Sequence, residues 1–224
     1  MDEYKEEFNQ PYHIIVEGPA DRELIKRILR DRQIDGFQVG CGQGQDRRCL
    51  GKDGFSRRIA AIRGATTVQV QGYVIVADRD DNSADRFSNA ARQFAKSSLP
   101  KPKENMKVDE GIDGVTELPV KTAIIMIPDN HDEGGLETLL LSCCNGMQEN
   151  IDCVDDFCTC VQKEYRTKLH ADKIRLRAII AATHRSDPSL ALSSWVTGDH
   201  CPFEMKHTAL DFIADFLKLF GTNE

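Results

Sequence analysis

Glu17, Asp78 and Asp80 stand at the ends of two apolar runs, Tyr12-His-Ile-Ile-Val16 and Tyr73-Val-Ile-Val-Ala77. Short runs rich in β-branched residues are how buried parallel strands read, and open α/β sheets carry functional groups at the carboxyl ends of their strands. Side by side, these two strands would gather the three carboxylates into one acidic cluster. Carboxylates that close repel unless a divalent cation sits among them, and hard oxygen ligands suit Mg²⁺ or Mn²⁺. The chemistry to expect is a metal site that handles phosphate esters.

Sharing one metal requires the first and third strands to be neighbours. A doubly wound sheet in the order 2-1-3-4 makes them so and leaves the crevice above them open to ligand. The rest of the chain fits such a sheet. Strand 12–16 leads through Gly18-Pro19 into a helix over about 20–32, with Leu24, Ile25, Ile28 and Leu29 as its apolar stripe and Pro19 in its first turn. A short strand at 36–40, a Gly-rich loop over 40–54 and a helix over 55–64 follow. The strand at 73–77 precedes a helix over 83–97 with Phe87, Ala90, Ala91 and Phe94 inward. Residues 99–118, with Pro100, Pro102, Gly111 and Gly114 among charges, read as a long surface loop before a fourth strand at 121–127 and a helix opening at Leu136. Strands alternating with helices predict an α/β fold with a parallel sheet and helices on both faces. Beyond residue 145 strand signals stop. Segments 150–165, 169–184 and 207–220 read as helices, so residues 1–145 form the expected α/β core and 146–224 a helical portion packed on it within one compact domain.

At 224 residues the chain suits one well-buried domain with appendages. Its start is acidic and has no apolar signal core, and no stretch approaches the roughly 20 apolar residues that span a bilayer. A cytoplasmic protein with no membrane association is expected. The eight cysteines, five of them crowded at Cys143, Cys144, Cys153, Cys158 and Cys160, are then expected as reduced thiols; no Cys-x-x-Cys pair points to zinc. A net charge of −7 gives no global pull on nucleic acid, so local basic segments must do that work. One comprises Arg47, Arg48, Lys52, Arg57, Arg58 and Arg63; the other comprises Lys163, Arg166, Lys168, Lys173, Arg175 and Arg177.

The Gly40-Cys-Gly42-Gln-Gly44 run fails both the dinucleotide and the Walker A patterns, which leaves a loop able to touch a nucleic-acid backbone through Arg47 and Arg48. Asp78-Arg-Asp80 alone is common to several enzyme classes. Dehalogenase-type phosphatases continue it with Thr or Val where this chain has Asn82, and they have no use for a carboxylate at position 17.

Taken together, Val16-Glu17-Gly18-Pro-Ala-Asp21 and Val76-Ala77-Asp78-Arg-Asp80 resemble the Toprim domain shared by topoisomerases, primases and OLD-family nucleases. Its pattern is a strand ending in Glu-Gly before a helix, and a later strand ending in Asp-x-Asp. Asp21 completes the Glu-Gly-x-x-Asp form of the OLD-like branch. Gly135-Leu-Glu137 and Asp172-Lys173 are similar to segments of a small family of stand-alone Toprim-like proteins of uncharacterised function, and the resemblance then covers most of the chain. It implies a Toprim-like fold, Asp78 and Asp80 as principal metal ligands, Glu17 as ligand or general acid/base, and Asp21 and Glu137 as further carboxylates of the site. Lys173 would neutralise charge on the scissile phosphate. One or two Mg²⁺ or Mn²⁺ ions, about 4 Å apart when paired, would serve the attacking and leaving oxygens of a phosphodiester.

The implied function is a metal-dependent nuclease, with DNA favoured over RNA as the nucleic-acid partner and Arg47, Arg48, Lys52, Arg57 and Arg58 on its backbone. The alternatives are an Asp-x-Asp phosphatase or nucleotidyl enzyme, and a non-catalytic Toprim module that recruits partners. Topoisomerase action needs a nucleophilic tyrosine on a separate domain, whereas Tyr4, Tyr12, Tyr73 and Tyr165 lie in or near this compact unit. No ATPase motif is present, so energy coupling would come from an ATPase or other partner chain, and a homo-oligomer is compatible with the pattern. A role in phage defence is analogy with relatives alone.

Overall fold

The computed structural model describes residues 7–44, 48–129, 133–144, 146–161, 164–165, 167–183, 187, 189–198, 201 and 204–222. Five strands form one sheet: β1 (Tyr12–Val16), β2 (Phe37–Cys41), β3 (Gly72–Asp78), β4 (Asp109–Ile112) and β5 (Pro119–Ile127), in the order β2-β1-β3-β5-β4. All pairs are parallel except β4 with β5. The four predicted strands thus stand in their predicted order, and β4 is added outside them. The reading of 99–118 as loop throughout is corrected by β4, a four-residue edge strand of Asp, Glu, Gly and Ile with little strand propensity. Its pairing comes from β5, with Glu110 opposite Lys121 and Gly111 opposite Val120, a tertiary cause that local composition does not carry.

Successive residues of the central strands enter opposite cores. Ile14, Val16, Val74, Val76, Ala123, Ile125 and Ile127 face one side; Ile15, Tyr73, Ile75, Ala77, Ile124 and Met126 face the other. Helices α2 (Phe55–Ala65) and α3 (Ser83–Lys96) cover the second side through Phe55, Ile59, Ile62, Ala90, Ala91 and Phe94. The first side carries α1 (Pro19–Asp31) through its whole predicted stripe, and α4 (Leu136–Cys143) through Leu136, Leu139 and Leu140. The helices after α4 are α5 (Gln148–Cys160), α6 (Lys168–Thr183), α7 (Leu192–Thr197) and α8 (Asp211–Gly221). Of these, α6, α7 and α8 enter the first core with Leu176, Ile179, Trp195, Val196, Ile213 and Leu217. The short α7, absent from the sequence reading, places the fully buried Trp195 against α1.

One expectation about cysteine chemistry is overturned. Cys41, at the end of β2, is disulfide-bonded to Cys49 across the Gly-rich loop, eight residues on. Cys143, Cys144 and Cys158 are buried free thiols, and burial pushes the first two up to about 12. No helix among the described residues is long and apolar enough to cross a membrane.

Candidate functional site

Parallel pairing brings the strand ends level. Val16 stands opposite Val76 on β3, and Asp78 opposite Ile127 on β5, so Glu17, Asp78 and the exit of β5 meet at one edge of the sheet. The Asp78 N–H donates to Glu17 Oε1 at 3.3 Å. Gly18 caps α1, and its N–H donates to Asp21 Oδ2 at 2.9 Å, which turns the Asp21 carboxylate back toward Glu17. On the other flank Asp78 Oδ1 accepts from the Leu136 N–H at 3.0 Å, the first residue of α4. Gly135 permits that approach: a Cβ there would lie 2.9 Å from the Asp78 carboxyl carbon. Glu137 follows on the first turn of α4, half-buried.

The middle residue of Asp-Arg-Asp does structural work. Arg79 is buried; its guanidinium donates to the Pro128 carbonyl, to Ser83 Oγ at 2.7 Å and to the Asp129 carbonyl at 3.2 Å. It ties the end of β3 to the exit of β5, between the half-buried Asp78 and the more exposed Asp80. Asp80 sits in the left-handed region at φ +49°, held by two backbone bonds with Gly134 of 2.7 and 2.9 Å.

The electrostatics report the same convergence. Burial, then Asp21, Glu17, Glu137 and Asp80, push the Asp78 carboxyl well above the usual range. Asp21 is pushed up to about 7 by burial and by Glu17, with Glu137 adding and the backbone N–H groups of Gly18 and Asp21 opposing. The five carboxylates named from sequence therefore occupy one neighbourhood.

Sequence reasoning missed Arg86, in the first turns of α3. Its Nη2 pairs with Glu17 Oε1, and its Nε lies 3.0 Å from Asp80 Oδ2 and 3.2 Å from the Asp78 carbonyl oxygen. A signal was present: a cation near a helix N-terminus opposes the macrodipole and calls for an acidic partner. As the side chains stand, no three His, Cys, Asp or Glu among the described residues are at ligating spacing. The donor set nonetheless fits Mg²⁺ or Mn²⁺ in kind. All donors are carboxylate oxygens, burial and then the neighbouring carboxylates push Asp21 and Asp78 upward, and the glycine at 135 keeps side-chain bulk out.

The expected cations are distributed differently. Lys173 is exposed on α6, and its neighbour Asp172 turns inward to accept from Thr138 Oγ1 on α4 at 2.7 Å. Arg48, Lys52 and Arg57 are exposed. Arg58, expected on that surface, is buried at 5% exposure, with its guanidinium 4.8 Å above the Phe8 ring and against Gly40, where a Cβ would collide with it. Its long side chain fills the space that Gly40 leaves on β2. Arg63 is engaged by Asp113 at 2.7 and 2.9 Å, and Arg175 by Asp155 at 2.6 Å. Arg47, Lys163 and Arg166 lie outside the described residues. The two basic segments are thus partly consumed inside the fold.

Among solved structures the chain is similar to the C-terminal region of the Burkholderia pseudomallei OLD protein, at 19% sequence identity and a TM-score of 0.41, over 93% of this chain and 98% of that one. None of the curated proteins matches it. The model of the family described as "Protein of unknown function (DUF3226)" matches residues 11–220, a span that includes all five carboxylates and Arg86, and the chain belongs to that family.

Proposed function

We propose that the chain is a Mg²⁺- or Mn²⁺-dependent nuclease that cleaves phosphodiester bonds through a Toprim-like carboxylate site. The observation that carries this reading is the convergence of Glu17, Asp21, Asp78, Asp80 and Glu137 on one sheet edge, with Arg86 as the cation paired with them among the described residues. A cluster so short of positive charge costs stability in the metal-free protein and is compensated by a divalent ion.

Asp78 and Asp80, on a backbone fixed by Arg79 and Gly134, are the principal ligands. Glu17 lies within reach of the Asp78 backbone, where it serves as ligand or as the base that takes a proton from the attacking water. Asp21 and Glu137 flank the pair, and the helix N-terminus at Leu136 orients Asp78. A bound divalent ion would supply charge for the phosphate oxygens and lower the pKa of its water. Partial exposure at the rim, 37% for the Asp80 side chain, suits a polymer lying across the site better than an enclosed metabolite. DNA, approached from the side of Arg48, Lys52 and Arg57, is the proposed substrate.

The test is incubation of the pure protein with supercoiled DNA, linear DNA and RNA under Mg²⁺ and under Mn²⁺, beside Asp78→Ala. Cleavage that requires the metal and disappears in Asp78→Ala is expected. Hydrolysis of small phosphomonoesters that survives Glu17→Ala would favour the Asp-x-Asp phosphatase instead. A protein that cleaves nothing, but whose Asp78→Ala variant loses a partner, would be a binding module.

A further inference from the structure

Arg86 is the one cation that the described contacts place among the five carboxylates, and it holds residues from two different strands. Its guanidinium joins Glu17, just past β1, to Asp80, just past β3, while its Nε also reaches the carbonyl of Asp78. Gathering oxygens from two strand ends onto one positive centre is also what a divalent ion would do there. We propose that Arg86 is the exchangeable counter-ion of this site: it holds Glu17 and Asp80 together in the metal-free protein and gives them up when a divalent cation binds. The inference rests on the metal-site reading above and adds a competition to it.

The two occupants exclude one another on chemical grounds. A guanidinium presents a planar fork of N–H donors and takes up carboxylate lone pairs along directed hydrogen bonds. Mg²⁺ and Mn²⁺ draw on the same carboxylates for a compact octahedral shell and repel a guanidinium held beside them. The oxygen bound to Arg86 on Glu17 is Oε1, which also accepts from the Asp78 N–H, so this oxygen is already shared. A metal that takes Glu17 through Oε1 and Asp80 through Oδ2, the oxygens that now face each other across the guanidinium, displaces the arginine. Arg86 has the exposed Asp85 and Ser88 beside it on α3, but its own side chain is only 11% exposed, against 37% for Asp80, so the exchange requires the guanidinium to swing outward past the Asp80 rim.

An arginine that merely braces the ligands makes the opposite prediction. A brace would remain in place beside the metal, and its loss would leave the carboxylates splayed and binding weakened. The sign of the effect on affinity separates the two roles.

The test is Mn²⁺ binding, followed by electron paramagnetic resonance of the free ion, to wild type, Arg86→Gln, Arg86→Lys and Glu17→Gln, with thermal melts to establish that each is folded. Competition predicts that Arg86→Gln binds Mn²⁺ about tenfold more tightly than wild type, whereas Arg86→Lys, which keeps a competing charge, stays nearer to it. In wild type the Nε–H resonance of Arg86 should lose its protection from solvent exchange when Mg²⁺ is added, a readout that needs no variant. Unchanged or weaker Mn²⁺ binding by Arg86→Gln, or a Nε–H that stays protected in saturating Mg²⁺, overturns the proposal while leaving the metal site standing. If neither wild type nor Arg86→Gln binds Mn²⁺ and Glu17→Gln makes no difference, the metal site itself is rejected, and the exchange with it.

Discussion

The first turn of α4 touches two groups of acidic side chains that the fold treats in opposite ways. Its leading N–H holds Asp78, one of five carboxylates with Arg86 as their described cation. Two residues on, the Thr138 hydroxyl donates to Asp172, which also receives Lys168 Nζ at 3.1 Å and Arg175 at 3.4 Å. Arg175 in turn binds Asp155 at 2.6 Å, and the Tyr165 hydroxyl completes that carboxylate at 3.0 Å. The second group is compensated within the chain. Hydrogen bonds from Arg175 hold the Asp155 acid below its ordinary value, whereas Asp21 and Asp78 are driven upward. Compensated carboxylates serve the fold; the uncompensated ones are those that the proposed function assigns to a divalent ion.

The largest test of that contrast is on activity. Replacing Asp78 by Asn preserves an acceptor for the Leu136 N–H while removing a charge, and should lower metal-dependent cleavage by on the order of 10³-fold. Replacing Asp155 by Asn should leave the rate within about twofold, since it touches no group of the first cluster. Initial rates on linear DNA at saturating Mn²⁺ would decide, and comparable losses in both variants would erase the distinction.

Stability should invert the order. The Asp172 side chain is buried to 5% exposure and satisfies Thr138, so Asp172→Ala should cost about 2–4 kcal/mol in urea unfolding. Asp78→Asn in EDTA should be neutral or gain up to about 1 kcal/mol, because it relieves repulsion among like charges.

Why one group was legible in the sequence and the other was not follows from how each is built. Glu17, Asp78 and Asp80 sit where continuous β-branched runs stop, so strand periodicity alone locates them, and the parallel order of the four long strands follows from the need to bring them together. Asp21 is announced by helix spacing. Arg86 is marked in the sequence only as a cation near a helix start, and its partners are set by the packing of α3 over the end of β3; Asp172 reaches its group only through α4 meeting α6, a contact with no local pattern. The same holds for β4, whose composition is that of a loop, and for the inward turn of Arg58 onto Phe8 and Gly40. The Cys41–Cys49 bond depends on the loop closing on itself, which residue spacing did not reveal.

The third test uses pH, with metal removed. The Asp21 carboxyl rises from 3.8 to about 7 on folding, so between those values the folded protein binds more protons than the unfolded chain, and stability from this group falls as pH rises through that window. Asp155 has the opposite sign: its depressed acid contributes stability above the ordinary carboxylate value, lost as pH falls below it. A metal-free melting temperature that peaks in mild acid and drops by about 3–6 °C toward pH 7 is expected, given roughly 2–4 °C per kcal/mol for a chain of this size. Asp21→Asn should flatten the neutral side of that profile; a profile unchanged by the substitution would detach Asp21 from the cluster.

The smallest effect concerns the cations that the fold leaves on the surface. Lys52 and Arg57 are exposed, while Arg58, one residue on, is stacked over Phe8 beneath β2. If the exposed pair meets a nucleic-acid backbone, each removes about one counterion on binding, so Lys52→Ala with Arg57→Ala should flatten the plot of log affinity against log salt by about 2 and weaken binding several-fold at low salt. Mn²⁺ affinity should not move, because neither residue has a described contact with the carboxylates. Arg58→Ala should behave as a structural change instead, costing about 1–2 kcal/mol through lost packing and cation–π contact, with the salt slope intact. Fluorescence anisotropy of a labelled duplex across a salt series, run beside urea melts, separates the two. A salt slope that responds to Arg58 and not to its exposed neighbours would mean that the 51–58 segment opens on binding, and the division between surface and buried cations would have to be redrawn.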